Sequence, residues 1–253
     1  MDTMETRRNA IVNFINENGT VSFSEIKKNF PNVSEMTLRT DLKYLDSEKR
    51  ILRIHGGAKS VQTLIESDDF LGRRFIRSTG EKKLIAEKAL KVLKAGSTVY
   101  LDSGSTATML AGMFPDEPRL IYTTGLTCAT ELSALAKPSV MIPGGKLNRY
   151  SQSVYGFSAI KELERVNFDQ AFMGVTGFHP ATGFACNMSD EAILKQTAIR
   201  QSEQVVVLMD SSKIGKKCSY TFCDFSDIDI IISDGRLPED FLEECSKHGV
   251  EVM

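Results

Sequence analysis

The chain has 253 residues, of which 42% are hydrophobic and 25% are charged, and its formal net charge is −2. This composition is ordinary for a soluble globular protein and excludes a low-complexity chain. No apolar run approaches the ~18 residues of a membrane span, and the N-terminus lacks a secretory signal pattern. We therefore expect a cytoplasmic protein with no membrane partner.

The number of cysteines and the distribution of charge further limit the classes of protein to which this chain can belong. The five cysteines are an odd number without a CxxC pair, and the chain has only three histidines. We therefore expect reduced thiols, with neither a disulfide framework nor a metal site. Basic residues outnumber acidic ones in the first sixty residues, and the reverse holds in the remainder. This asymmetry weakly favours a DNA-binding N-terminus.

The first sixty residues have the pattern of three helices and a β-ribbon. A helix is predicted over residues 7–18, and Ser22 and Glu25 have the capping-box spacing that opens a second helix. Ser34 is placed to cap a third helix, and residues 51–55 are typical of a short strand that ends at two glycines. This order predicts a winged helix-turn-helix domain over residues 1–60.

The third predicted helix has a polar face suited to reading DNA. In a helix-turn-helix the N-terminal part of this helix enters the major groove. The residues expected to contact base edges are Glu35, Met36, Arg39 and Thr40. The residues expected to contact phosphates are Lys43, Arg53 and Lys59. A small helical subdomain with a solvated basic face is the alternative.

A charged connector is expected over residues 61–80, and a second domain over 81–253. A buried-type strand at Thr98–Leu101 begins a series of strands that alternate with helices. Further strands are predicted at 120–123, 139–142, 169–174, 204–209 and 228–232, and helices near 81–94, 106–113, 126–136, 156–165 and 189–202. Alternation of this kind predicts an α/β domain with a mostly parallel sheet.

The turn after the first strand is the strongest candidate for a ligand site. It reads Asp102-Ser103-Gly104-Ser105-Thr106 and precedes a helix. Backbone N–H groups and hydroxyls at such a position favour an anion such as phosphate. A plain strand-to-helix turn, capped by a serine or threonine, is the alternative.

Small or polar residues at other strand ends are expected at the same edge of the sheet, where ligands bind in such folds. They are Thr124, Gly145, Lys146, Asp210 and Lys213. Glu191 and Lys195 lie four residues apart on a predicted helix, and the lysine is a further candidate for a phosphate contact. A surface ion pair is the alternative for these two residues.

The N-terminal motifs resemble the DeoR family of regulators. The matching residues are Val33-Ser34-x-x-Thr37-Leu38-Arg39-x-Asp41-Leu42 and Arg53-x-His55-Gly56-Gly57-Ala58. The resemblance covers the recognition helix and the wing, and it adds Ser34, Thr37 and His55 to the DNA-binding candidates. Thr40 stands where the family has a second arginine, so the DNA contact at this position is expected to differ.

Residues 81–234 resemble the sensor domain of the same family, which is similar in fold to ribose-5-phosphate isomerase. The matching pieces include Glu81-Lys82, Asp102–Thr106 and Asp210–Lys213. The resemblance implies a phosphorylated sugar or polyol as effector. It also implies a phosphate loop at Gly104, Ser105 and Thr106, with further contacts from Thr124, Gly145, Glu191 and Lys213. Gly125 replaces an asparagine of the family.

Two functions follow as competing hypotheses. The first is a repressor of a carbohydrate or polyol operon that binds operator DNA as a homodimer or homotetramer, uses no cofactor and is released by its effector. The second is an isomerase-like enzyme with a DNA-binding domain. Isomerisation requires a carboxylate base with partners. The stretch that begins at Asp169 has no second carboxylate, and Glu191 is the one candidate base, so we expect no catalytic residue.

Overall fold

The computed structural model describes residues 3–48, 50–54, 56–60, 71–75 and 77–253. Contacts divide the chain into two compact units, residues 1–69 and 70–253. The predicted fold class is confirmed, because three helices and a small sheet form the first unit and a parallel α/β sheet forms the second. Within the described ranges, no helix is long and apolar enough to cross a membrane.

The N-terminal unit follows the predicted order, with one additional strand before the second helix. Its elements are α1 (Thr3–Asn18), β1 (Thr20–Ser22), α2 (Phe23–Asn29), α3 (Glu35–Ser47), β2 (Ile51–Ile54) and β3 (Gly57–Ser60). Ser22 and Glu25 form the expected capping box at the start of α2. The Ser34 hydroxyl caps α3 by accepting a hydrogen bond from the backbone N–H of Thr37.

The three helices of this unit bury one apolar cluster, in which Ile11, Ile26 and Leu38 are fully inaccessible to solvent. The wing is an antiparallel sheet in the order β1-β3-β2. A Cβ atom at Gly57 would lie 2.1 Å from the carbonyl oxygen of Val21. Only glycine therefore allows β1 and β3 to approach as closely as they do.

The second unit begins within the predicted connector. Its helices are α4 (Leu71–Arg74), α5 (Thr79–Val92), α6 (Ser105–Ala111), α7 (Leu126–Leu132), α8 (Phe157–Leu163), α9 (Ser189–Arg200) and α10 (Glu239–Lys247). The strands of the main sheet are β4 (Thr98–Leu101), β5 (Leu120–Thr123), β6 (Ser139–Met141), β9 (Gln170–Gly174), β12 (Val205–Leu208), β14 (Ile230–Ile232) and β15 (Glu251–Val252).

The seven strands of the main sheet pair in the order β15-β14-β12-β9-β4-β5-β6, and all pairs are parallel. Strand β12 is buried along its whole length, as expected for a central strand covered on both faces. Two hydrophobic clusters cover the two faces, one around Phe168 and Met173 and the other around Leu101 and Ile121.

Two smaller sheets were not predicted from the sequence. One is the hairpin of β7 (Lys146–Asn148) and β8 (Ser153–Tyr155), and the other contains β10 (Gly177–His179), β11 (Gly183–Cys186) and β13 (Tyr220–Cys223). These strands have only three or four residues, too few to establish an alternating hydrophobic pattern. The pairing of β11 with β13 also joins segments distant in sequence, such as Cys186 with Tyr220.

Candidate functional site

Helix α3 exposes the face predicted to read DNA. Glu35, Met36, Arg39, Thr40 and Lys43 are all exposed, and 81% of the Met36 surface is accessible. The spacing of these residues places them on one side of the helix. The opposite side packs inward through Leu38 and Leu42. Ser34 and Thr37 cap the helix start, with their hydroxyl oxygens 2.8 Å apart.

A buried ion-pair group joins α3 to α1 behind the exposed face. The Asp41 carboxylate accepts hydrogen bonds from Arg7 Nε at 2.6 Å and from Arg8 Nε at 2.9 Å. The Arg8 guanidinium also lies 3.7 Å from the centre of the Tyr44 ring. These contacts fix the orientation of α3 relative to the rest of its unit.

Arg39 and Thr40, which are predicted to contact bases, have partners within the protein. The Arg39 guanidinium lies 4.2 Å from the Phe23 ring centre and 4.0 Å from the Glu35 carboxylate. The Thr40 hydroxyl donates to the Met36 carbonyl at 2.9 Å. The donor of this hydroxyl is therefore used within the helix, whereas an arginine at the same position would present several outward-facing donors.

The predicted phosphate contacts lie on or beside the wing. Arg53 is exposed on β2, and its backbone N–H donates to the Asp46 carboxylate at 2.9 Å. Lys59 is half-buried on β3, opposite Thr20 and Leu52. His55, predicted as a DNA contact, lies outside the described residues.

The carboxyl end of the main sheet holds a cavity of about 380 Å³, including the part open to solvent. Seven of the twelve predicted effector-binding residues line it, and they are Ser103, Gly104, Ser105, Thr106, Glu191, Lys195 and Lys213. They come from three segments that the sheet brings together: the turn after β4, helix α9 and the turn after β12.

An ion-pair group with an almost fully buried lysine forms the base of the cavity. Lys195 Nζ pairs with the Asp102 carboxylate, donates to the Gly174 carbonyl at 2.9 Å and lies 3.6 Å from Glu191. The Asp102 carboxylate also accepts a hydrogen bond from the Gly174 N–H at 2.9 Å. The interpretation of Glu191 and Lys195 as a surface ion pair is therefore wrong, because only 2% of the lysine side chain is exposed.

The charge of Lys195 is maintained by its neighbours. Burial alone would lower the pKa of this lysine, but the carboxylates of Asp102 and Glu191 outweigh it and raise the pKa above its usual value. Lys195 is therefore a cation at every physiological pH. Its donors to Asp102 and Gly174 are already used, so it acts mainly by orienting these groups and by its positive charge.

Two basic residues that the sequence analysis did not select complete the cavity wall. Arg74, on α4, and Lys82, on α5, both line it. Lys82 is buried, and its ammonium group donates to the carbonyls of Arg74 and Arg77. The Nε atom of Arg74 is buried and makes no hydrogen bond to any part of the chain that the structure describes. An unsatisfied guanidinium N–H at a cavity wall fits an anionic ligand.

The remaining predicted effector contacts are not among the described residues that line the cavity. Asp102 and Asp210 are buried; Asp102 pairs with Lys195, and Asp210 caps the turn that carries Lys213. Thr124 is buried, with its hydroxyl 3.2 Å from that of Tyr100. Lys146 begins β7, and Gly145 directly precedes it. Gly145 lies so close to β8 that a Cβ atom there would be 2.5 Å from the Tyr155 carbonyl oxygen.

Gly125, directly before α7, lies next to Ser103 in the turn that lines the cavity. A Cβ atom there would lie 3.0 Å from Cys128 Sγ and 3.1 Å from Ser103 Cα. A side chain at position 125 would therefore displace the Ser103 turn or Cys128 by a few tenths of an ångström. Because glycine has no side chain, the turn and the start of α7 can lie in contact.

Comparisons with known proteins agree with these two units. The model of the DeoR-like helix-turn-helix domain matches residues 7–63, and that of the DeoR C-terminal sensor domain matches residues 77–235. The regulator GlpR of Haloferax volcanii is 31% identical, over 87% of this chain and 86% of its own. The repressor GlcR of Bacillus subtilis is 28% identical, over 98% and 95%. The L-fucose operon activator of Haemophilus influenzae is 28% identical, over 98% of both chains.

Similarities to solved structures are more distant. Ribose 5-phosphate isomerase A of Methanocaldococcus jannaschii aligns with a TM-score of 0.38 and 17% identity over 54% of each chain. The eIF2B delta subunit of Chaetomium thermophilum aligns with a TM-score of 0.41 and 15% identity, over 73% of this chain and 58% of its own. No activity follows from similarities at this level.

A helix-turn-helix unit with an exposed recognition face, joined to a sheet domain with a basic cavity, defines a DNA-binding regulator with a separate sensor domain. The two family models together match most of the chain. The protein belongs to the DeoR family of transcriptional regulators.

Proposed function

We propose that this protein represses a carbohydrate or polyol utilisation operon and that a phosphorylated sugar or polyol in the cavity controls its affinity for operator DNA. The observation that carries the proposal is the buried Nε of Arg74 at the cavity wall, which has no hydrogen-bond partner among the described residues. A phosphate group would supply an acceptor for this N–H. Lys82 and Lys213 line the same cavity and add positive charge.

The other polar groups of the cavity suit the sugar or polyol part of such a ligand. Glu191 is partly exposed, with 23% of its side chain accessible, and its carboxylate can accept hydrogen bonds from hydroxyl groups. Ser103, Ser105 and Thr106 supply hydroxyls on the facing turn. A cavity with one acidic group among several basic ones favours a phosphate ester of a polyhydroxy compound over a dicarboxylate.

The sign of the response and the assembly are parts of the same proposal. The relatives include both a repressor and an activator by name, and we propose repression relieved by the effector. A helix-turn-helix dimer reads half-sites about one helical turn, ~34 Å, apart. We therefore propose a homodimer or homotetramer, assembled through the sheet domain and active in the cytoplasm.

Direct binding measurements test this proposal. The full-length protein would select duplexes from a random-sequence library, and fluorescence anisotropy would then measure its affinity for a selected duplex with and without a panel of sugar and polyol phosphates. We expect at least one phosphate ester to weaken binding by about 5- to 150-fold, the usual range of allosteric coupling. The parent sugars without phosphate are the control. Unchanged DNA affinity with every phosphate ester would contradict the proposal.

The isomerase-like alternative finds no support in the stretch that begins at Asp169, because this stretch lies away from the cavity. The Asp169 carboxylate accepts the Thr98 N–H at 2.6 Å at the amino end of β4, whereas the cavity lies at the carboxyl end of the strands. The fully buried Gln170 side chain is bonded to Val92, Lys94 and Gln204. Incubation with pentose and hexose phosphates tests the alternative: interconversion that Glu191→Gln abolishes would establish an enzyme.

A further inference from the structure

We infer that Phe23 is a positioning residue for base recognition, because its ring holds the Arg39 guanidinium in place on the DNA-reading face of α3. The inference rests on the proposed DNA-binding function and extends it to a residue of a different helix. The centre of the Phe23 ring lies 4.2 Å from Arg39 Cζ. The Glu35 carboxylate lies 4.0 Å from Nη2 of the same guanidinium, one helical turn earlier.

The position of the Phe23 ring is fixed, because the Phe23 backbone is held by the start of helix α2 and by a hydrogen bond to the wing. Phe23 is the first residue of α2, and it lies within the Ser22–Glu25 capping box, directly after the N-cap Ser22. Its N–H donates to the Gly56 carbonyl in the wing at 2.7 Å. Its ring is half-buried and packs against the apolar cluster of the unit. The position of the ring is therefore set by the fold and not by Arg39.

Stacking on this ring restricts an otherwise mobile side chain without using its hydrogen bonds. The Arg39 side chain is 64% exposed, and an arginine loses much rotamer freedom when it binds a base. A planar guanidinium that rests one face on a ring keeps its N–H edge available. That edge is the part that bonds guanine O6 and N7 in the major groove. Phe23 therefore lowers the entropy cost of base readout by Arg39.

The test compares Phe23→Leu with Phe23→Tyr, which retains the ring. Each full-length variant would be measured on a duplex selected from a random library by the wild-type protein and on an unselected duplex. We expect Phe23→Leu to lower the ratio of selected to unselected affinity by about two- to fivefold, the range for an exposed cation–π contact. Phe23→Tyr should restore the wild-type ratio. An equal loss on both duplexes, or a gain on the selected duplex, would overturn the inference.

A double-mutant cycle separates the positioning role from the readout itself. In an Arg39→Ala background, Phe23→Leu should produce no further loss of the ratio, because the side chain it positions is gone. If Arg39→Ala leaves the ratio unchanged, base readout by Arg39 is wrong. If Arg39→Ala lowers the ratio and Phe23→Leu does not, only the role of Phe23 is wrong.

A measurement on the wild-type protein avoids dependence on how well the variants fold. The side-chain Nε–Hε order parameters from NMR relaxation should be higher for Arg39 than for Arg53, which is also exposed. Equal, low order parameters for the two arginines would show that the Phe23 ring does not hold the guanidinium, and would overturn the inference.

Discussion

The buried ammonium group of Lys195 pairs with the Asp102 carboxylate, and these two residues are 93 positions apart in the chain. This pair joins helix α9 to the end of strand β4 directly beneath the cavity. Each side chain is only 2% exposed, so neither charge is solvated by bulk water. Each charge is compensated by the other, and the pair supports the floor of the cavity.

Lys195→Met should destabilise the sensor unit strongly. The substitution leaves the Asp102 carboxylate buried without its cation, and breaking a buried pair from one side costs about 3–5 kcal/mol. Urea unfolding monitored by circular dichroism would measure the loss. The matched control is Lys161→Met, because the Lys161–Glu164 pair is exposed and such pairs contribute about 0–1 kcal/mol. Similar losses for the two variants would contradict the interpretation.

Asp234 should contribute to stability against acid. Burial alone would raise its pKa, but hydrogen bonds from Ser211, Ser233 and Arg236 hold the pKa below its usual value. For a carboxyl whose pKa is lowered by folding, the stabilisation is present above the unfolded pKa of ~3.9 and is lost as the pH falls through the folded pKa.

Asp234→Asn should therefore reduce the dependence of unfolding free energy on pH below about pH 4. Urea unfolding at a series of pH values would measure this, with the exposed Glu203→Gln as control. An unchanged pH dependence in Asp234→Asn would exclude a role for this carboxyl.

Arg74→Ala should abolish most of the response to the effector and leave DNA binding without effector intact. Loss of a charge-assisted hydrogen bond to phosphate costs about 1.5–3 kcal/mol of effector affinity. Thermal shift and anisotropy titrations would measure effector binding and operator release. Arg77→Ala is the control, because Lys82 bonds the carbonyl of this exposed residue and not its side chain. Equal effects of the two substitutions would remove Arg74 from the effector site.

Arg39→Ala and Lys59→Ala should weaken DNA binding in different ways. Loss of a bidentate base contact costs about 1–3 kcal/mol on the selected sequence and relaxes the preference at one base pair. Loss of a phosphate contact weakens binding to all sequences and lowers the salt-dependence slope by about 1. Anisotropy titrations over a range of salt concentrations would distinguish them. If both variants lose affinity equally on selected and random DNA, Arg39 does not read bases.

Asp41→Ala should destabilise the DNA-binding unit, because Arg7 and Arg8 both lose the carboxylate to which they donate. Breaking this buried group from one side should cost about 3–5 kcal/mol. Hydrogen–deuterium exchange of the α1 and α3 peptides would report the loss. Glu35→Ala on the exposed side of the same helix should change stability by no more than about 0.5 kcal/mol. Equal exchange in the two variants would contradict a structural role for Asp41.

The elements predicted from the sequence lie within a few residues of those observed, because caps and apolar periodicity are local signals. Ser22 and Ser34 begin their helices as predicted. Strands β4, β5 and β9 follow the predicted apolar runs. The predicted helix 81–94 is displaced by two residues, to Thr79–Val92. Ser78, which precedes it, has a left-handed backbone with a φ of 50° that no local signal indicates.

The candidate site was predicted only in part. The Ser103–Thr106 turn was identified because glycine and hydroxyl residues after a buried strand form a recognisable local pattern. The sequence patterns do not indicate that Arg74 and Lys82 line the cavity, although Arg74 lies in the charged connector. Nothing in the sequence near them says where a long basic side chain ends, since that depends on how α4 and α5 pack on the sheet.

The sequence by itself determined the helix-turn-helix with its wing, the parallel α/β domain, and the family to which both belong. It also determined which face of α3 carries polar side chains. The tertiary structure decided that Lys195 is buried against Asp102, that Arg74 faces the cavity, and that Phe23 lies under Arg39. The physical reason is range: capping and periodicity act over a few residues, whereas charge pairing and stacking depend on distant segments brought together by the fold.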